Sequence, residues 1–581
     1  MKRLALAAAL LTLLFVRGLP TRAQAPATAF VPVTDKMLQN PDPADWLMWR
    51  RTLNGWGYSP LNQINRNNVR QLALAWTRPM SAGLQEGTPI AYRGVMYLPN
   101  PSDVIQAINA KTGDLLWEYR RALPDDLTKF FPVPSINRNL SIWGSFIIDT
   151  SADDFAFALD AATGKLAWET KILDYQTGAQ QTSGPIVANG KVISGRGCEP
   201  KSGPDACVIT AHDAKTGKEL WRTHTIPRPG EPGDDSWGGI PYDQRKHVGT
   251  WMVPSYDPEL NLIYIGTSVT SPAPKYMLAG RNFKYLYHNS TLALNADTGK
   301  IAWYYQHLVD DWDLDHPFER LLVDTSVAPN PRDVAWMNPR IRPGERRKVV
   351  TGIPGKTGIV YTLDRQTGEF LWARPTITQN VVKSIDGATG DVTTSAEAPF
   401  GKDKDERYIC PNINGGKNWQ AGAYSPLTNT MYFPLQNTCM AVTATGDRTT
   451  LYAITSRAEV AASAGDNVGT VEAISVETGS TTWKYSQRAG TTSLVATGGG
   501  LLFGGDVNGR FRAIDQTTGK VLWETNLGSP VTGFPISFAV DGRQYVAVST
   551  GSALATSGTA RLTPELKPGV ANNVFVFTLP N

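Results

Sequence analysis

The sequence has 581 residues, 41% hydrophobic and 19% charged, with 56 Lys and Arg against 52 Asp and Glu. The four charges of the first 25 residues, Lys2, Arg3, Arg17 and Arg22, are all basic, so the chain beyond them is formally neutral. Neutrality argues against nucleic acid as a partner, and no later run reaches the roughly 18 apolar residues that a membrane span needs.

In chain order, the first predicted element is an export signal over residues 1–25. A basic start leads into thirteen mostly aliphatic residues, Leu4 to Val16, and then into small residues near Ala23 and Ala25. The expected compartment is a periplasm, and residues 26–581 are expected to form one domain.

That domain is organised by an eleven-residue repeat. "AINAKTGDLLW" ends at Trp117, and related copies end at Trp168, Trp221, Trp303, Trp372, Trp483 and Trp523. In each, a short apolar strand runs into an Asp, Asn or Ser, a Thr-Gly turn reverses the chain, and a second strand carries the Trp. Short strands with 53 glycines, 40 prolines and no long helical period predict an all-β fold of radially stacked four-stranded sheets. The repeated tryptophans are read as packing between neighbouring blades. The gap between Trp372 and Trp483 leaves room for a degenerate blade around "NTMYFPLQ", residues 429–436, and the strand "NVFVFTL" can close the ring with N-terminal residues. The expectation is an eight-bladed β-propeller.

Four cysteines, Cys198, Cys207, Cys410 and Cys439, show neither CxxC nor CxxCH spacing. In an oxidising compartment they predict two disulfides rather than zinc or covalent haem. Three connectivities exist; Cys198–Cys207 with Cys410–Cys439 is preferred because each closes a short local loop. "LVDDWDLDHPF", residues 308–318, places Asp310, Asp311, Asp313 and Asp315 around one tryptophan.

The repeat, "WRRTLNGWGYSPLNQIN" from Trp49, "KNWQAGAYSP" from Lys417 and "DDWDLD" together resemble the pyrroloquinoline quinone (PQQ) dependent alcohol dehydrogenases, with the methanol and ethanol branch fitting best. The likeness is collinear over the mature chain. It implies that Glu86, Arg138, Thr182, Lys356 and Asn418 contact the cofactor and that Trp251 stacks beneath the flat quinone. Asp313 matches the general base that takes the alcohol proton while the carbinol hydride passes to the quinone C5. Glu199, Ser271, Asp313 and Asp315 fall at metal-ligand positions, the metal acting as a Lewis acid.

Residues two apart in an extended segment point the same way, so Asp315 adds a second carboxylate beside Asp313. The resemblance associates that addition with lanthanide-using members, with Ca²⁺ as the alternative. Two departures stand out. "TSVTSPAP" puts Ser271, or Thr270 in its place, where the family has an amide. Pro132 and Val133 replace a vicinal cysteine pair over the quinone, suggesting a Pro-Val roof flanked by Phe130 and Phe131.

The resemblance implies oxidation of an alcohol to an aldehyde or ketone. The missing CxxCH then sends electrons to a separate soluble cytochrome c, and a homodimer is left open. The alternatives are a non-catalytic propeller serving as a binding or assembly platform, and a sugar- or polymer-oxidising quinoprotein. Platforms of that ancestry carry a lipid-attachment Cys directly after the signal, whereas the first cysteine here is Cys198.

Overall fold

The computed structural model describes residues 30–580 apart from 200–201, 404, 449–450 and 555. The predicted export signal lies outside the described residues. In the first sheet, strands Ile90–Tyr92, Val95–Asn100, Val104–Asn109 and Leu115–Arg120 pair antiparallel in that order. The third is buried along most of its length, while the fourth exposes alternate residues.

The repeat residues explain how such sheets stack. At the second copy, Asp160 Oδ1 accepts from both the backbone and the hydroxyl of Thr163 at 2.8 Å, closing the turn. Gly164 then takes φ +71°, and a Cβ there would meet the Trp117 ring at 2.5 Å. Conformation and close packing both demand glycine. A one-residue bulge just before Trp117 re-aims its indole, and Trp117 Nε1 donates to Ala161 O of the next sheet at 3.1 Å.

The same glycine-on-indole contact recurs at Gly217 on Trp168, Gly299 on Trp221, Gly368 on Trp303 and Gly519 on Trp483.

Among the described residues, eight sheets contain four consecutively paired antiparallel strands. Seven carry the repeat. The other joins Ile536–Val540, Arg543–Thr550 and Asn573–Thr578 to the N-terminal strand Ala73–Pro79. Its docking residue is Trp76, with the same preceding bulge, a bond to Ala110 O at 3.1 Å, and Gly113 against its ring. No Thr-Gly turn can precede Trp76, because its partner strand comes from the far end of the chain.

The gap between Trp372 and Trp483 is filled differently from the expectation. Thr430–Gln436 pairs with Gly469–Ser475 and so belongs to the sheet of Trp483, not to a degenerate blade of its own. The extra length forms the hairpin Val382–Ile385/Val392–Thr394 and a three-stranded sheet of Arg407–Ile409, Thr438–Ala444 and Ile454–Val460. Both expected disulfides, Cys198–Cys207 and Cys410–Cys439, are formed. No helix among the described residues is long and apolar enough to cross a membrane.

Candidate functional site

Glu86, Arg138, Thr182, Trp251 and Asn418 each lie three to five residues before the first strand of a different sheet. Equivalent positions in stacked sheets bring residues far apart in sequence to one end of the ring. There, Arg138 Nη2 lies 2.6 Å from Glu86 Oε2, while Nη1 donates to Thr182 Oγ1 at 2.7 Å and to Trp251 O at 3.3 Å. The guanidinium carbon stands 5.2 Å from the Trp251 ring centre, a cation–π contact. Phe318 meets Trp251 edge-on at 5.4 Å.

The pair is sealed, Arg138 and Glu86 being 1% and 0% exposed. Burial raises the Glu86 carboxyl despite the opposing pull of Arg138 and of the Leu554 N–H. Burial lowers Arg138 despite Glu86.

The acidic stretch divides in two. Asp310 accepts from Trp312 N at 2.6 Å, Leu314 N at 2.5 Å and Asn289 Nδ2 at 3.0 Å. Asp311 accepts from Lys275 N at 2.9 Å and pairs with Arg281 at 2.6 Å. These two hold the loop. Asp313 and Asp315 face instead a single cation: Lys356 Nζ is 2.9 Å from Asp313 Oδ1 and 3.3 Å from Asp315 Oδ2. Asp315 Oδ1 accepts from Val269 N at 2.8 Å.

Burial drives the Asp313 carboxyl well above the ordinary range, with Asp315 adding to it and Lys356 opposing. For Asp315 burial also pushes upward, but Lys356, His247 and the Val269 N–H together hold it below. One ammonium thus serves two buried carboxylates.

Glu199 approaches from another side. It follows Cys198 directly, and its N–H donates to Gly178 O at 2.8 Å. With Phe130, Phe131, Pro132 and Gly178 it lines a cavity of about 240 Å³. Val133 does not join that wall; it packs with Leu127, Phe131 and Ala152. Ser271 is buried, and its N–H donates to Lys246 O at 3.2 Å, beside His247 and Val269. Thr270 Oγ1 points to Pro272 O at 3.5 Å. Asn418 makes a local turn with Asn414 O at 2.8 Å, and its loop meets Lys356 through Gly416 N–H to Lys356 O at 2.8 Å.

Two residues of the site carry no signal in the sequence. Tyr452 directs its hydroxyl to His247 Nε2 at 3.3 Å, and His247 Nδ1 bonds Val269 O at 2.8 Å. Burial above all, then the charges of Asp313, Asp315, Glu199 and Asp310, holds the Tyr452 hydroxyl protonated. The Tyr452 phenol thus sits within the electrostatic reach of Asp313, Asp315 and Glu199.

Carboxylate and hydroxyl oxygens are the donor set of a hard cation, and the Lys356 ammonium stands in for such a charge between Asp313 and Asp315. In this arrangement no three Asp, Glu, His or Cys side chains among the described residues close on a common point. By donor chemistry and buried charge, the residues fit a metal. The Trp251 ring with Arg138 beside it, and the Lys356 ammonium, supply the aromatic and cationic groups that suit a flat polyanionic ring.

A ring of Trp-docked sheets with such a site at one end defines a β-propeller dehydrogenase. The family model described as PQQ, "Glucose/ethanol/alcohol dehydrogenase, beta-propeller domain", matches residues 46–404 and 465–546. The chain belongs to this family of PQQ-dependent alcohol dehydrogenases. It is 30% identical over 553 residues to quinohemoprotein alcohol dehydrogenase ADH-IIG of Pseudomonas putida, covering 88% of this chain and 73% of the relative. It is 31% identical over 547 residues to the lanthanide-dependent methanol dehydrogenase of Methylacidiphilum fumariolicum, covering 88% and 85%. A solved europium-containing methanol dehydrogenase superposes with a TM-score of 0.84 at 28% identity, covering 94% of this chain and 99% of the other.

Proposed function

We propose that the protein oxidises an alcohol to an aldehyde or ketone with PQQ and one hard metal ion, and hands electrons to a separate soluble cytochrome c in the periplasm. The observation that carries this reading is the pair of buried carboxylates, Asp313 and Asp315, on the one ammonium of Lys356, together with the buried Arg138–Glu86 pair beside the Trp251 ring. When bound, PQQ supplies the hydride acceptor and the ion supplies Lewis acidity.

The chain's own residues do the rest. Arg138, fixed by Glu86 and Thr182, offers positive charge to a carboxylate of the ring system, and Trp251 gives it an aromatic floor. Asn418 is a proposed further contact to the cofactor. Glu199, Ser271, Asp313 and Asp315 are the proposed metal ligands. Asp313 is the proposed base: burial raises its proton affinity, while Lys356 keeps a carboxylate state within reach. Asp315 adds a second anionic oxygen, which favours a lanthanide over Ca²⁺ on charge grounds. The eight four-stranded sheets are proposed as the eight blades of the ring.

Apoprotein titrated with PQQ and either LaCl3 or CaCl2 should gain dye-linked alcohol oxidation and a quinone absorbance band together, with lanthanum the better metal. No activity toward any alcohol under either metal would overturn the reading.

A further inference from the structure

The family model leaves residues 405–464 unmatched, and that segment builds the three-stranded sheet of Arg407–Ile409, Thr438–Ala444 and Ile454–Val460. Cys410–Cys439 ties its root. Described residues between its second and third strands contact one another and the loop 273–277. Thr445 N–H donates to Ala453 O at 2.9 Å and Ala273 N–H donates to Tyr452 O at 3.0 Å. The Arg448 guanidinium binds Met277 O.

Tyr452 and Ala453 both take left-handed backbone, φ +59° and +58°. That conformation is costly for a bulky residue, and such outliers gather at functional sites. Its result is to turn the phenol inward. The Tyr452 ring meets His247 edge-on at 5.0 Å. Because His247 Nδ1 is 2.8 Å from the Val269 carbonyl it carries the proton, leaving Nε2 to accept from the Tyr452 hydroxyl at 3.3 Å. Val269 N–H in turn binds Asp315. A continuous chain of contacts thus ties the phenol through His247 and Val269 to Asp315, the neighbour of the proposed base Asp313 on Lys356.

We propose that Tyr452 is a specificity residue of this chain: its ring forms the ceiling of the alcohol pocket and selects small unbranched primary alcohols over branched and aromatic ones. His247 is the positioning residue that holds the ceiling. The proposal rests on the dehydrogenase reading given above.

The test uses enzyme reconstituted with PQQ and the better metal, comparing kcat/KM for ethanol, 2-propanol and benzyl alcohol. Tyr452→Ala raises the ratio of benzyl alcohol to ethanol by about tenfold or more, the scale on which apolar pocket shape discriminates. Tyr452→Leu, which keeps bulk, moves it part of the way and decides the matter if the alanine variant does not fold. Tyr452→Phe and His247→Asn each raise KM for ethanol several-fold with a smaller change in kcat, the pattern of lost substrate placement. An unchanged ratio in folded Tyr452→Ala or Tyr452→Leu with quinone absorbance intact overturns the ceiling. A wild-type enzyme inert to all three alcohols overturns instead the dehydrogenase reading.

Discussion

Two buried charge clusters lie at the same end of the ring and solve opposite problems. Around Trp251, one guanidinium meets one carboxylate, and Thr182 and backbone groups take up part of their remaining bonding capacity. Around Tyr452, two carboxylates share one ammonium while Glu199 adds its field. In the first cluster the two charges match one to one. The second has anionic capacity to spare, which suits a site that takes up a cation and moves a proton.

The largest expected effect breaks the second cluster at its reactive end. Asp313→Asn lowers kcat by about 10³-fold, within the range that a positioned base supplies, while quinone absorbance persists. Unchanged turnover would remove Asp313 from that role.

Next, the clusters respond differently to loss of their cation. Arg138→Met strands Glu86 and costs about 3–5 kcal/mol in thermal unfolding whatever metal is present, the usual penalty for half of a buried pair. Lys356→Met also destabilises, but added lanthanum restores most of the loss, because an ion can take the place of the ammonium. Equal rescue of both variants would erase the contrast.

A third buried acid sharpens the comparison, because it is neutralised by a proton. Asp103 accepts from Ala152 N at 2.7 Å and stands 3.5 Å from Asn137 Nδ2, which also reaches Asp149 at 2.6 Å. Burial, with Asp153 adding and Ala152 N–H opposing, pushes Asp103 up to about 7 from an ordinary 3.8. The folded value exceeds the unfolded one, so across that window the native chain keeps a proton that the unfolded chain has released. Stability from this group is present at acid pH and falls as pH rises from about 4 to 7, by up to about 4 kcal/mol. Asp103→Asn should flatten that decline in melts run from pH 4 to 8; an identical slope would exclude it.

The smallest effect separates the metals. Asp315→Ala should cut lanthanum-supported activity about tenfold more than calcium-supported activity, a difference of one charged ligand. Equal losses would detach Asp315 from metal choice.

The repeat was legible because each Thr-Gly-Trp unit is local: the turn, the bulge and the docking indole all lie within eleven residues. Trp76 was not legible, since its neighbouring strand Asn573–Thr578 comes from the other end of the chain. The stretch 429–436 looked like a separate blade for the same reason, its partner Gly469–Ser475 lying beyond a long insertion. Within the acidic run, the family resemblance singled out Asp313, and alternation put Asp315 beside it. Nothing in the sequence told that Asp310 and Asp311 bind backbone N–H groups and Arg281. His247 and Tyr452, 205 positions apart, meet only through the three-dimensional fold and stand in no spacing that sequence reading recognises.

The strand pairing that joins Thr77 to Val574 across 497 positions has a consequence for biogenesis. A polypeptide delivered N-terminus first holds Ala73–Pro79 without its partner until Asn573–Thr578 has arrived. Each newly made sheet can dock on the one before, but the circle is sealed only when that strand pairs. A chain cut short before Asn573 would be left an open horseshoe, with Ala73–Pro79 and Arg543–Thr550 as bare edges.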